Sequence, residues 1–335
     1  MRIIAGLIIA ALIGWCGWWF IGSSAQKDAW INWFNDRQTA GWVAENSDIT
    51  VRGFPNRFDT TISEFELADT TSGWAWSAPF FQILMQSYQP NHVIAVWPDT
   101  QKISGPNDTI TLTNDKMRGS VIFLPNTDLT LDKTQIEIAG LGLLGTGWTA
   151  ALESANFATR RVETGDAPDF AHQIGLDARN LTLSEPLKNA LDPTGILPPT
   201  IERGHLDITA AFDAPWDRHS VEGQKPQLTV MSVKDIDVTW GELNLQANGL
   251  LNIDPQGYPN GDIKLKMRNW QEMLNLAAAS GLISSDIART VKDGLRLLSA
   301  LGGDGNTLNV PLTFAGGTIR LGPIPIGSAP RMVFD

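Results

Sequence analysis

Leu243-Asn244-Leu245-Gln246-Ala247-Asn248-Gly249-Leu250-Leu251-Asn252-Ile253 is the stretch whose reading decides the fold. Leu243, Leu245, Ala247, Gly249, Leu251 and Ile253 share one phase of a two-residue period. Asn244, Gln246, Asn248 and Asn252 share the other, with Leu250 the single apolar exception. Successive side chains of a strand point to opposite faces, so this pattern predicts one long strand, apolar on one side and wet on the other. At about 3.3 Å per residue it extends roughly 35 Å. Asp254-Pro255-Gln256-Gly257-Tyr258-Pro259-Asn260-Gly261 is dense in turn formers. Ile263, Leu265 and Met267 then resume the alternation against Asp262, Lys264, Lys266 and Arg268. The result is a hairpin of one-faced antiparallel strands, and Leu243, Leu245, Leu251, Ile253, Ile263 and Leu265 are its candidate apolar sheet face.

The rest of the composition agrees with a β-rich chain. Of 335 residues 43% are hydrophobic, enough for a sizeable core, and 31 Gly and 19 Pro punctuate the whole length as turn residues. The net charge of −11, with no Lys/Arg-dense segment, argues against nucleic acid as a partner and against electrostatic docking on anionic lipid. The single cysteine, Cys16, lies in the N-terminal apolar run, so the chain forms no internal disulfide and its remainder offers no thiol chemistry. Thirteen Trp against two Tyr fit sheet-core aromatics together with an interfacial belt.

Ile3–Ile21 carries no charge and matches the roughly 20 residues of a bilayer span, with Trp15, Trp18 and Trp19 placed as a belt at its outer end. Ser23-Ser24-Ala25 has the small residues of a signal-peptidase site. The apolar run is longer than a signal peptide needs, and bulky Trp residues precede the site, which favours an uncleaved anchor over residues 1–25. A long acidic stretch after one N-terminal span is expected on the exported side, with the N-terminus cytoplasmic. Lys27–Ala40 predicts a helix with Trp30, Trp33, Phe34 and Arg37 at three-and-four spacing and Gly41 as its stop; it either lies on the bilayer surface or packs on the sheet.

From Trp42 the period is two. Gly53-Phe54-Pro55-Asn56 makes a turn. Phe58, Thr60 and Ile62 hold one phase until it slips near Glu64, which predicts a β-bulge. Half-buried strands follow at Ile110–Leu112, Val121–Leu124, Leu129–Ile138, Trp148–Leu152 and Ile174–Leu183, and again where Leu206, Ile208, Ala210 and Phe212 alternate. Glu185–Leu191 is long enough for a short helical turn. Trp270–Ala279 and Ser285–Leu301 are the extended helical patterns, so a helical insertion is expected at about 270–301. Its second helix carries the stripe Ile287, Val291, Leu295 and Leu298 and stops at Gly302-Gly303. Gly316-Gly317 predicts a last hairpin, after which the Pro and Gly of Gly322–Pro330 break up the tail.

Catalytic strings are missing. Gly140-Leu141-Gly142-Leu143-Leu144-Gly145 fits the dinucleotide-binding pattern as letters, but no strand-helix-strand unit surrounds it, and a glycine-rich strand connection is expected. His92, His172, His205 and His219 show no metal-ligand spacing; His205 and Asp207 share a strand face, which alone describes a solvated pair. No HExxH, CxxC or GxSxG occurs. No catalytic, cofactor or metal residue is nominated.

Trp42-Val43-Ala44, Val51-Arg52-Gly53-Phe54-Pro55-Asn56-Arg57-Phe58, Gly73-Trp74-Ala75-Trp76-Ser77-Ala78-Pro79, Pro90-Asn91-His92-Val93-Ile94-Ala95 with Trp97, and Leu321-Gly322-Pro323 carry a resemblance. With them the chain resembles, over nearly its whole length, the bacterial family catalogued as domain of unknown function 2125. That resemblance implies a membrane-anchored exported protein. More loosely, the Gly-Phe-Pro turn and Trp240-Gly241-Glu242-Leu243 through Gly249, Asp254, Gly257 and Gly261 are similar to the AsmA-like superfamily of inner-membrane-anchored periplasmic proteins. This likeness implies a long curved sheet whose apolar face accepts lipid acyl chains, with a role in lipid transport or outer-membrane homeostasis.

The expectation is therefore a mainly β fold: a long antiparallel, curved or groove-like sheet with a few helices and one N-terminal transmembrane helix. Residues 26–335 form the β-rich exported domain. The expected partners are the inner membrane, a phospholipid or other envelope lipid, and envelope proteins. Two alternatives stand beside lipid handling: an envelope scaffold working through protein contacts, and a hydrolase with a nonstandard site.

Overall fold

The computed structural model describes residues 1–163, 165, 168–301 and 305–334, with side chains throughout except at 221, 222 and 296–301. The protein is mainly β, and every strand pairing is antiparallel. The chain divides into two compact units, Met1–Phe123 with Ile136–Gly147, and Leu124–Gln135 with Trp148–Asp335.

The first unit opens with α1, Arg2–Thr39, a single helix that runs from the expected span through the helix expected to follow it. Gly22-Ser23-Ser24-Ala25, which includes the small residues of the competing cleavage site, is helical and packs closely on the sheet. A Cβ on Gly22 would lie 2.6 Å from the ring of Phe58, so only glycine lets the helix and that ring approach this closely. Ser23 is buried there and its hydroxyl donates back to Phe20 O at 3.1 Å. Gly41, at φ 87°, ends the helix in the left-handed conformation expected of it. Strands β1 (Val43–Glu45), β2 (Asp48–Arg52), β3 (Arg57–Asp69), β4 (Trp74–Gln86), β5 (Gln89–Val96), β6 (Thr100–Ser104), β7 (Thr109–Thr113) and β8 (Lys116–Phe123) follow.

The outer half of α1 packs on this sheet and not on a surface of its own. Phe34 is buried with Ala44, Ile49, Ile62, Phe65 and Ala78, and Gln26 Nε2 donates to Thr60 Oγ1 at 2.8 Å. The phase slip in β3 is real, since Phe58, Thr60 and Ile62 are buried and then Phe65. It is not a bulge. Glu64 turns left-handed at φ 44°, opposite Pro79, and the pairs on either side, Ser63↔Phe80 and Phe65↔Ala78, keep the same register with no extra residue. Pro79 has no N–H to donate, so the ladder loses little by bending there.

β9 (Leu131–Gly145) contributes its first residues to the second unit and the rest to the first. The glycine string lies within this strand and runs into the turn at Thr146-Gly147, with no helix after it. The second unit continues with β10 (Trp148–Arg161), β11 (His172–Thr182), α2 (Glu185–Leu191), β12 (Thr200–Phe212), α3 (His219–Glu222), β13 (Leu228–Trp240), β14 (Leu243–Ile253) and β15 (Pro259–Arg268). Then come α4 (Trp270–Ala279), α5 (Ser285–Leu301), β16 (Thr307–Ala315), β17 (Thr318–Leu321) and β18 (Ile324–Ser328). The opening stretch is thus the β14–β15 hairpin, paired from Asn244↔Arg268 to Ile253↔Pro259.

The helical insertion lies where its stripe placed it. Val291 and Leu295 are buried with Trp270, Leu308 and Val310, and Ile287 packs beside them. The side chain of Leu298 and the stop at Gly302-Gly303 lie outside the described residues. One expectation fails: Pro and Gly do not break up the tail, because Ile324–Ser328 pairs with β17. Proline is tolerated on an edge strand, where no partner needs its missing N–H.

Candidate apolar face and membrane helix

Residues directly opposite in an antiparallel ladder lie on the same face, so registers can be chained from strand to strand. From Phe157 the chain of partners is Leu176, Leu206, Ile236, Ala247, Leu265 and Val310, one residue from each of β10 through β16. A neighbouring row runs Ile174, Ile208, Val233, Gly249, Ile263, Leu312 and Leu321. The second unit therefore carries one apolar face across seven strands, about 29 Å wide at ~4.8 Å per strand.

Its two ends differ in cover. Toward β14–β16 the face is closed by the chain itself. Leu243 packs with Leu197 and Leu276 of α4, and Leu265 and Val310 lie in the cluster that contains α5. Leu251 and Ile263 pack with Phe314 and Ala329, and the tail is fixed by Met332 N–H donating to Gly257 O at 2.8 Å. Of the six nominated residues, Leu243, Leu251 and Ile263 are buried, whereas Leu245, Ile253 and Leu265 are half-buried. Toward β10–β12 Ala155, Ala210 and Phe212 are buried, while Phe157, Ile174, Leu176 and Leu206 are half-buried and belong to none of the clusters that hold the β14–β16 end. Sequence reasoning missed them as a site. Leu206 and Ile208 showed the alternation, but nothing local set them apart from the covered hairpin.

The opposite face of these strands is polar. His205 Nδ1 lies 3.3 Å from Asp177 Oδ2 and its Nε2 lies 3.8 Å from Asp235 Oδ2, all at least partly exposed. Asp207 does not bond to His205; it accepts from Gln173 Nε2 at 3.0 Å. On the same side a depression of about 860 Å³ is lined by Lys133, Arg160, Lys234, Gln173, Thr209 and Ser232. Among the described residues no group of three or more His, Cys, Asp or Glu side chains is arranged to hold a metal ion. His172 is the buried histidine of this unit. Its burial, reinforced by the Arg161 guanidinium and partly offset by Asp132, lowers its pKa below the usual imidazole value.

Asp192, fully enclosed, organises the loop before β12. Burial opposes its ionisation, but donation from Thr194 and from the backbone N–H groups of Leu197, Ile196 and Gly195 outweighs that and holds its carboxyl below the ordinary range. The loop it ties down carries Leu197 onto Leu243, and Pro198, whose carbonyl accepts the indole N–H of Trp240 at 2.8 Å.

In the first unit α1 is long and apolar enough to cross a membrane. The three tryptophans nominated as a belt divide between two roles. Trp18 faces outward. Trp19 is buried, its indole N–H donating to Arg57 O at 2.7 Å and its ring stacked on Phe58 at 6.1 Å. Trp15 is half-buried and donates to Asn56 Oδ1 at 3.3 Å.

Fold and helix together define a mainly β protein carrying an N-terminal helix compatible with membrane anchoring. The family model described as an uncharacterized protein conserved in bacteria (DUF2125) matches residues 18–330, and the chain belongs to that family. No curated protein and no solved structure matches the chain.

Proposed function

We propose that this is a bacterial cell-envelope protein, held in the inner membrane by α1 as a single pass, with a cytoplasmic N-terminus and a periplasmic bulk. It acts without an enzymatic step by holding phospholipid or another envelope lipid on the apolar rows of β10–β13. The observation that carries this reading is the accessible end of the seven-strand face. Interior strands whose apolar residues stay half-buried have surface left for an occupant, and acyl chains match a long surface without hydrogen-bonding groups. The looser likeness to AsmA-like proteins supports the same use, as does the outward alternation of polar residues. Retention of α1 is supported by Trp19 and Ser23, which are part of the first unit's packing and would be lost on cleavage after Ala25.

The test is native mass spectrometry with lipid extraction on the full chain purified from membranes. Lipid at a defined stoichiometry, lost in a Leu176→Asp, Leu206→Asp double variant that keeps native hydrogen-exchange protection elsewhere, is the expected result. Those two positions are chosen because Leu251, at 1% exposure, would unfold the sheet if charged and so could not report on lipid. A folded, lipid-free protein that also takes up no added lipid would refute the proposal.

A further inference from the structure

We infer that the β2–β3 turn, Gly53–Arg57, is a second membrane-contacting element, seated with α1 in the headgroup boundary of the outer leaflet. The inference rests on the reading of α1 as a membrane span and adds a lipid contact that the helix alone does not require. The turn is bound to the helix inside its apolar stretch and not beyond it. Asn56 is held by Trp15 and Arg57 O by Trp19, while Phe54 lies 5.3 Å from the Trp19 ring and 5.5 Å from that of Phe20. Ile3–Gly14, the part of the run before the first of these contacts, has twelve residues. At about 1.5 Å each they span ~18 Å, well short of a hydrocarbon core of about 30 Å. To fill the core the helix must carry Trp15–Ile21 into the outer leaflet, and the turn goes with it.

The turn is built for that position. Several of its backbone groups are paired: Asn56 and Arg57 N–H both donate to Gly53 O, at 3.1 and 2.8 Å. Ser87 N–H donates to Asn56 O at 2.9 Å and Ser87 Oγ to Pro55 O at 3.4 Å. A segment entering a region poor in water must satisfy its polar groups in this way. The side chains it turns outward suit lipid. Phe54 is 51% exposed, beside Phe20 on the helix, and Tyr88, 62% exposed, follows Ser87 on the adjoining β4–β5 tip. Arg52 and Arg57 are exposed on either side of the turn, Arg57 paired with Asp59 at 3.1 Å, and their long stems let the charged heads reach toward phosphates. Three separate segments of chain thus meet in one aromatic, cation-flanked tip continuous with the apolar helix.

The experiment places a single environment-sensitive fluorophore in the full chain, reconstituted in vesicles of phosphatidylethanolamine and phosphatidylglycerol. The background is Cys16→Ser, since Cys16 is the only native thiol. Labels go at Phe54→Cys, at Tyr88→Cys as a second site on the tip, and at Leu12→Cys as a depth control. Ser72→Cys is the aqueous control, at the far end of the β3–β4 hairpin. The expected result is that lipids brominated near the ester quench positions 54 and 88 by about half or more, that deep-brominated lipids quench position 12, and that aqueous iodide quenches only position 72. Positions 54 and 88 behaving like 72 while position 12 remains deep would overturn the inference and leave the anchor standing. Iodide reaching position 12 would overturn the anchor itself, and the inference with it.

Discussion

Replacing Phe34 by Ala tests whether the outer half of α1 is a structural part of the first unit or a strap lying on the bilayer surface. Phe34 is 4% exposed, enclosed by Ala44, Ile49, Ile62, Phe65 and Ala78, with the Trp33 ring edge-on at 5.2 Å. Truncation of a buried Phe removes its transfer free energy and leaves a cavity, together about 3–5 kcal/mol. At ~1.4 kcal/mol per tenfold, this is a rise of about 10²-fold to about 4 × 10³-fold in the opening of whatever the ring holds closed. Hydrogen exchange read by mass spectrometry on the full chain in lipid discs should show that loss of protection in β2 and β3. Strands β13–β15 of the second unit should exchange as before. Ile31→Ala is the matched control, on the same helix but 38% exposed, with an expected change of less than about 1 kcal/mol. If Phe34→Ala and Ile31→Ala leave β3 equally protected, the helix is not packed on the sheet and the account of the first unit fails.

Three further outcomes are expected. Because burial depresses the folded pKa of His172 below its unfolded 6.5, the unfolded state takes up a proton first as pH falls. Stability of the second unit is then complete above that value and declines as pH drops from 6.5 toward the folded pKa. Denaturant midpoints measured across this window should show the slope, and His172→Gln should flatten it. Gly140→Ala should destabilise the first unit by about 1–3 kcal/mol, since φ is 62° and the new Cβ would fall 2.1 Å from the Asp115 carboxylate; a thermal melt in detergent reads this directly. Leu295→Ala, at a fully buried position of α5 packed on Trp270 and Leu308, should cost about 2–5 kcal/mol and speed proteolysis of the α4–α5 segment.

The sequence was most legible where its signal was local and periodic. The β14–β15 hairpin, α2, the extent of α4 and α5, and the Gly41 stop were all written in residues within a few positions of one another. It misled where a distant partner decided. Ser23-Ser24-Ala25 has the small residues of a cleavage site, and nothing nearby shows that Gly22 stands there to let Phe58, thirty-odd residues on, approach the helix. The slip at Glu64 looked like an inserted residue because β3 alone cannot reveal that β4 slips with it at Pro79.

The same physics explains why the hairpin first nominated and the accessible face are not the same residues. Alternation says which side chains share a face but nothing about what lies over them. Leu251 and Leu206 have the same pattern around them and belong to the same continuous surface. One is sealed by a tail whose Met332 bonds back to Gly257, and the other is not. Much of the cover comes from elements inserted later in the chain: α4 and α5 pack against β14–β16, and the residues after Ser328 pack on β14–β16 and reach the end of β12, where Ile208 lies in the Ala329 cluster and Phe334 lies 6.3 Å from Phe212. Strands β10–β12 precede all of these, and α2 and α3, seven and four residues long, are too small to serve them in the same way. Chain order therefore divides one apolar surface into a part buried by later elements and a part that stays half-buried, and if the half-buried part holds lipid as proposed, charging Leu176 and Leu206 should abolish that binding while the sheet persists.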